Sequence, residues 1–282
     1  MNILLTVDKN MLGPISACIR SISLSKTAAE ITVFIIHSPI EKAELDRLID
    51  FCGRLIGKVH FLEIDATHFV HLRQRMREGH VSDAALYRCA MGSLLPDTVE
   101  KILYIDCDTL VLKPLDRLYN TDLDGKIAAA HRTPLDHLSD MGVDANEYFN
   151  SGVMLIDLAL WRKSRVEAET FDVLAAHGPR LKMWDQCALN IVLAGKTAPL
   201  DSEYNHLVNR PPVGGHYVVP TILHYAGHRK PWLNGGTIWD GLYLEATQKT
   251  PWPLVYSRRK AKKENPFRRL KQSLRKRFSS QI

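Results

Sequence analysis

Three short runs of nearly continuous apolar residues, at 3–7, 31–37 and 58–64, are separated by stretches with the three-to-four residue spacing of amphipathic helices, at 14–24 and 40–55. A strand that is apolar on both faces must be covered on both, which is the condition of a strand inside a parallel sheet with helices above and below it. Glu41 and Glu44 favour a helix start, where backbone N–H groups lack partners, and Gly53 and Gly57 interrupt the exit. Strand, helix, strand, helix therefore predicts an α/β fold with a parallel sheet. Further helical patterns near 66–78 and 82–94 lead to a fourth apolar run, Ile102-Leu103-Tyr104-Ile105, and strands are expected again at 126–131 and 152–157.

The fourth run stops abruptly in Asp106-Cys107-Asp108. Residues i and i+2 of an extended chain point the same way, so two carboxylates face one side at the strand's end. Such a pair repels itself unless a cation sits between its members, and the carboxyl ends of strands are where open α/β sheets bind ligands. Hard oxygen donors in that place read as a divalent-metal and phosphate site. Asp8 closes the first strand in the same manner, with Asn10 two residues on. Taken alone, Asp8 is equally a turn residue.

Three other segments concentrate polar chemistry. His224-Tyr225-Ala226-Gly227-His228-Arg229-Lys230-Pro231-Trp232 puts an imidazole, cations, a glycine and an indole directly after an apolar stretch. An imidazole there can complete a divalent-ion shell, glycine lets backbone approach an anion, and Lys230 offers a phosphate partner, although His224 alone is equally a core histidine. Phe149-Asn150-Ser151-Gly152 precedes a strand and is, by itself, an ordinary turn. Trp184-Asp185-Gln186 opens a helix, where Asp185 is either a functional carboxylate or a cap.

At 282 residues, 45% hydrophobic and 24% charged, the chain can bury the core of one large domain, which excludes disorder for most of its length. No run approaches the roughly 18 apolar residues of a membrane span, and the apolar part of the first eight residues is too short for a signal peptide. A cytoplasmic location is expected. Cys18, Cys52, Cys89, Cys107 and Cys187 are odd in number and scattered, so buried free thiols are expected rather than disulfides or a zinc knuckle. Residues 258–282 hold eleven of the 37 Lys and Arg and one of the 31 acids, so this tail carries +10 and the remainder −4.

In combination these blocks resemble the retaining sugar-nucleotide glycosyltransferases of family 8, which include bacterial lipopolysaccharide galactosyl- and glucosyltransferases. The likeness runs over residues 1–232 through Asp8 and Asn10, Tyr87-Arg88, Tyr104 to Asp108, Phe149 to Gly152, Trp184-Asp185-Gln186, and His224 to Gly227 with Lys230-Pro231-Trp232. It implies one Rossmann-like domain of the GT-A type, residues 1–250, with a mixed, mainly parallel sheet that binds a UDP-sugar. It further implies Mn2+, with Mg2+ as the substitute, on Asp106, Asp108 and His224, and phosphate contacts from Gly227 and Lys230. Asp8 and Asn10 would hold the nucleoside and Cys107 would lie within the donor site. Arg88, Asn150, Asp185 and Gln186 would surround the donor sugar, with Asn150, Asp185 and Gln186 on the catalytic side. Relatives often carry a second acid directly after the Asp-Gln pair, where this chain has Cys187.

The implied activity is transfer of a hexose, galactose or glucose, from a UDP-hexose donor to a saccharide acceptor, expected to be lipopolysaccharide or another lipid-linked glycan. Acceptor contacts are expected in the loops 132–148 and 206–217, with His137, Asp140, His206 and Arg210. Two other readings exist. Asp106-Cys107-Asp108-Thr109 also resembles the first motif of haloacid-dehalogenase-type phosphohydrolases, with Asp140 and Asp144 as the best downstream acids. A basic module binding membrane or nucleic acid without catalysis is the other. In the segment 251–282, Phe267, Leu270, Leu274 and Phe278 recur at helical spacing among basic residues, which favours an anionic membrane surface, contacted by 258–278, over nucleic acid. The enzyme is thus expected to sit peripherally on the inner face of the cell membrane.

Overall fold

The computed structural model describes residues 1–65, 67, 69, 72, 84–209, 218–233 and 235–254. The first strands are β1 (Asn2–Val7), β2 (Thr32–His37), β3 (Lys58–Glu63) and β4 (Lys101–Ile105). After β5 (Thr109–Val111) come β6 (Ala128–Arg132), β7 (Phe149–Asp157) and β8 (Thr197–Leu200). Two short strands follow, β9 (His206–Leu207) and β10 (Ile222–His224). Seven of them form one sheet in the order β3-β2-β1-β4-β7-β6-β8. Neighbours are parallel except that β7 runs opposite to both β4 and β6.

That single reversal positions the site. The carboxyl ends of β1 and β4 lie on the same sheet edge as the amino-terminal end of β7, so Asp8, Asp106 and Asn150-Ser151-Gly152 share it. The Asp106 N–H donates to the Gly152 carbonyl at 2.7 Å. Phe149-Asn150-Ser151-Gly152 is accordingly extended strand and not the turn its composition suggests, because Phe149 pairs with Arg132 of β6 beyond an irregularity in the register.

A three-stranded sheet in the order β5-β10-β9 stands beside this edge. β5 begins one residue after Asp108, and antiparallel pairing sets His224 opposite Thr109. Parallel pairing of β9 with β10 sets Leu207 opposite His224. Residues from 106 to 108 are thus the bend that joins the two sheets.

The strands are apolar on both faces, as expected, and each face has its own core. Leu4, Phe34, Ile36, Tyr104 and Met154 lie on one side and Ile3, Val33, Ile35, Leu103 and Val153 on the other. β3 departs from this pattern: it is the sheet's edge, with Lys58, His60 and Glu63 exposed, so its apolar residues are only partly covered. The first helix spans Leu12–Ser23. The second spans Lys42–Leu55 and is capped by the Glu41 carboxylate, which accepts from the Ala43 and Glu44 N–H groups.

All five cysteines are free and buried. Among the described residues no helix is long and apolar enough to cross a membrane. Residues 251–254 pack on the domain: the Trp252 Nε1 donates to Glu44 at 2.7 Å and the Arg47 guanidinium lies 5.1 Å from the centre of its ring. The basic segment 258–278, Arg210 and most of the helical pattern at 66–78 lie outside the described residues.

Candidate active site

At the end of β4, each carboxylate oxygen of the Asp-Cys-Asp bend has its own surroundings. Asp106 Oδ1 accepts from the Tyr104 hydroxyl at 2.5 Å and lies 2.8 Å from Arg88 Nη2. Asp106 Oδ2 faces His224 Nε2 at 3.6 Å. Asp108 Oδ1 lies 3.2 Å from the same Nε2. Asp108 Oδ2 accepts from Lys230, whose Nζ also donates to the Tyr225 carbonyl at 2.7 Å. Burial alone would raise the Asp108 pKa, but the Lys230 ammonium and His224 outweigh it and hold the carboxyl well below the usual range.

One ligand atom from each of Asp106, Asp108 and His224 lies within 4.8 Å of the others. Two carboxylate oxygens and an imidazole nitrogen converging in this way suit a hard divalent cation. The backbone of β7 passes directly behind them at Gly152. A Cβ there would stand 2.2 Å from His224 Cε1, 2.6 Å from Asp106 Oδ2 and 2.8 Å from His224 Nδ1. Glycine is therefore required by close approach, and the converging carboxylate and imidazole atoms keep their positions because no side chain intrudes.

Arg88 organises the flank. Its guanidinium stacks 4.5 Å from the Tyr104 ring centre, Nη1 donates to the Ser151 carbonyl at 2.9 Å, and Nε donates to the Ala85 carbonyl at 3.0 Å. Nε also lies 3.1 Å from Asp185 Oδ2. Its hydrogen is directed at Ala85, so that buried carboxylate oxygen gains charge proximity without a hydrogen bond. Burial pushes the Asp185 pKa up to about 6, with the Asp106 charge adding to it and Arg88 opposing. Asp185 is not a cap: the helix Trp184–Val192 has Met183 at that position, with no side-chain capping bond. Trp184, just before it, has a φ of 39°, a left-handed conformation that costs a bulky residue about 1–3 kcal/mol.

A row of amides connects this flank to His224. His224 Nδ1 lies 2.8 Å from Asn205 Oδ1, Asn205 Nδ2 donates to Asn150 Oδ1 at 2.8 Å, and Asn150 Nδ2 donates to Gln186 Oε1 at 3.0 Å. Gln186 Nε2 then donates to the Tyr148 hydroxyl at 2.9 Å. Backbone N–H groups of Gly152 and Ser151 donate to Asn150 Oδ1 and Gln186 Oε1, at 3.0 and 3.2 Å. Asn190 locks the helix to the strand by accepting from the Phe149 N–H and donating to its carbonyl, at 2.8 and 3.0 Å. Asn205, Tyr148 and Asn190 are absent from the sequence-based site. No local pattern marks them; only the pairing of β9 with β10 and the docking of one helix on β7 bring them in.

The remaining expected residues take simpler places. Asp8 Oδ1 accepts from the Asn10 N–H at 2.8 Å, so Asp8 does form a turn, at the same sheet edge as Asp106. Cys107 is buried, and burial raises its thiol pKa well above the ordinary value. Gly227 is exposed at a φ of 81°, on the turn between His224 and Lys230. Cys187 Sγ is surrounded by His137 Nε2, the Met183 N–H and the Tyr148 hydroxyl, at 3.2, 3.3 and 3.6 Å. The His206 ring lies 5.8 Å from that of Trp239. Asp140 is exposed and paired with Arg180, while Asp144 accepts from the Asn146 N–H within its own loop. Neither joins the bend at Asp106 as the phosphohydrolase reading requires, and that bend follows the fourth strand rather than the first.

Residues 2–236 match the family model described as Glycosyl transferase family 8. The chain is 29% identical over 222 residues to General stress protein A of Bacillus subtilis (strain 168), a match covering 72% of this chain and 77% of that protein. It is 24% identical over 271 residues to Lipopolysaccharide 1,2-glucosyltransferase of Escherichia coli (strain K12), covering 89% of this chain and 79% of the relative. The solved structure of the galactosyltransferase LgtC with donor and acceptor sugar analogs superposes with a TM-score of 0.77 at 20% identity, covering 89% of this chain and 97% of that one. That agreement shows the same fold, a single α/β domain of the GT-A type with a mixed, mostly parallel sheet.

Proposed function

The chain belongs to glycosyltransferase family 8, and on that premise we propose that it is a retaining, metal-dependent hexosyltransferase that uses a UDP-hexose, UDP-galactose or UDP-glucose, as donor. The observation that carries this reading is the convergence of Asp106, Asp108 and His224 on one point, with Gly152 clearing the space behind them. Asp106, Asp108 and His224 would hold Mn2+, or Mg2+ in its place, which would supply Lewis-acid neutralisation of charge developing on a departing nucleoside diphosphate, worth several kcal/mol.

The chain's own groups do the rest. Lys230, already directed at Asp108, is the cation available to the diphosphate, and the turn at Gly227 lets backbone approach it. Asp8 and Asn10, at the end of β1, take the nucleoside, and the Cys107 backbone between Asp106 and Asp108 lies at the donor site while its side chain packs into the apolar core. Arg88, Asn150, Asp185 and Gln186 line the donor sugar. Gln186 Oε1 already accepts from Asn150 and from the Ser151 N–H. An amide oxygen so engaged is a positioned dipole and not a nucleophile, which supports a front-face path to retention.

The acceptor is a saccharide on a lipid-linked cell-surface glycan such as lipopolysaccharide, a reading supported by the named Escherichia coli relative. Segment 258–278 holds the enzyme on an anionic membrane surface at about 1 kcal/mol for each basic residue engaged. Isothermal titration of UDP with and without Mn2+, on the wild type and on Asp106→Ala and Asp108→Ala, tests the site. Metal-dependent binding lost in both variants is expected; absence of UDP binding together with Mg2+-dependent hydrolysis of a phosphomonoester would instead establish the phosphohydrolase.

A further inference from the structure

The donor row from Asn205 to Gln186 has a direction that can be deduced from its ends. A backbone N–H can only donate, so the atom of Asn150 that meets the Gly152 N–H is Oδ1, and the atom of Gln186 that meets the Ser151 N–H is Oε1. Asn205 also faces Asn150 Oδ1, at 2.8 Å, and must present its Nδ2 there. Its other atom, the acceptor Oδ1, is then the one 2.8 Å from His224 Nδ1. His224 Nδ1 must carry a hydrogen, so in the neutral imidazole, the form that can ligate a cation, the Nε2 lone pair is directed at the space it shares with Asp106 Oδ2 and Asp108 Oδ1.

We infer that Asn205 is a positioning residue that holds His224 as the Nδ1–H tautomer, the form that can ligate a cation through Nε2, and that it ties this ligand to the Asn150–Gln186 pair on the sugar side. Asn205 is fully buried, between the turn Ser202–Tyr204 and β9, and the pairing of β9 with β10 keeps it beside His224. Both of its amide atoms are in use. One serves the metal ligand and the other serves Asn150, whose own Nδ2 holds Gln186 Oε1. Partners of this kind set ligand orientation and tautomer, and their removal costs 10- to 100-fold in metal affinity or activity as a rule. This role rests on the metal site proposed above.

The two functions of the Asn205 amide separate by substitution. Asn205→Asp keeps an acceptor for His224 Nδ1 and loses the donor to Asn150, whereas Asn205→Ala loses both. Mn2+ affinity of the UDP-saturated protein, read by titration or by the electron paramagnetic resonance of free Mn2+, is expected to fall roughly tenfold or more in Asn205→Ala. It is expected to stay within about threefold of wild type in Asn205→Asp, while kcat for donor turnover falls in both. An unchanged Mn2+ affinity in Asn205→Ala, or an Asn205→Asp as weak as Asn205→Ala, overturns the inference. Wild-type protein labelled with 15N-histidine gives a second reading that needs no variant at this position. In the Mg2+–UDP complex the His224 signals, assigned by their loss in His224→Gln, are expected to show Nδ1 protonated and Nε2 bare. A proton on Nε2 with Nδ1 bare overturns it. Failure of wild type to bind Mn2+ with UDP overturns the metal site itself, whereas normal wild-type binding with an unaffected Asn205→Ala overturns the role of Asn205 alone.

Discussion

Gly152 and His224 are packed so tightly that one added methyl group would stand 2.2 Å from the imidazole Cε1. Because the same methyl would meet Asp106 Oδ2 at 2.6 Å, the strand and two of the three converging side chains cannot all keep their places. Gly152→Ala is expected to weaken Mn2+-dependent UDP binding at least tenfold. Overpacking should also cost about 1–3 kcal/mol of stability. Titration calorimetry and denaturant unfolding check the two parts, and wild-type UDP affinity in the variant would contradict this geometry.

Arg88 reaches Asp106, the Ser151 carbonyl and the Ala85 carbonyl through three different nitrogens while its side chain is 7% exposed. A lysine offers one nitrogen on an unbranched stem and cannot span those directions. Arg88→Lys should destabilise the fold by on the order of 3 kcal/mol, since buried acceptors and Asp185 lose their partner. Metal-dependent UDP binding should weaken as well, because Asp106 Oδ1 is no longer held. Chemical denaturation against wild type measures the first effect.

Asp185 makes stability depend on pH in a definite direction. With an ordinary value of 3.8 and a folded value of about 6, the folded chain holds more protons than the unfolded chain between these limits. The Asp185 contribution to stability is therefore full below about pH 4 and is lost as the pH rises through about 6, amounting to on the order of 3 kcal/mol. Unfolding free energies of metal-free wild type and Asp185→Asn, compared from pH 4 to 7, should diverge by this slope. Parallel curves would show that Asp185 ionises normally.

Cys187 accepts from the Met183 N–H and faces the Tyr148 hydroxyl and His137 Nε2. Cys187→Ala strands the Met183 N–H and removes the thiol from the Tyr148 hydroxyl and His137, and should cost about 1–3 kcal/mol, whereas Cys187→Ser restores a polar partner and should cost less. Thermal unfolding ranks the two; equal losses would mean that packing rather than hydrogen bonding sets the requirement.

Deleting residues 258–282 removes a charge of +10. On the proposed membrane role, the truncated protein should move from the membrane fraction to the soluble one while its Mn2+-dependent UDP binding stays within error of the full chain. Unchanged fractionation would remove the tail from the mechanism.

What the sequence by itself determined was whatever depends on near neighbours. Apolar runs broken by helical spacing specify an α/β sheet, because both strand faces must be covered. Asp106 and Asp108 announce themselves because residues two apart on a strand's end must share a side, and the glycine and lysine after His224 read as a candidate anion site. The edge position of β3, the extended conformation of Asn150-Ser151-Gly152 and the non-capping role of Asp185 were decided elsewhere. The reversal of β7 brings Gly152 behind the Asp106 carboxylate, and a two-residue strand, β9, carries Asn205 to His224. An asparagine in a turn looks the same whether it faces water or a buried imidazole. Which of these it does is settled by strand order and register, and those are set by the packing of the whole sheet.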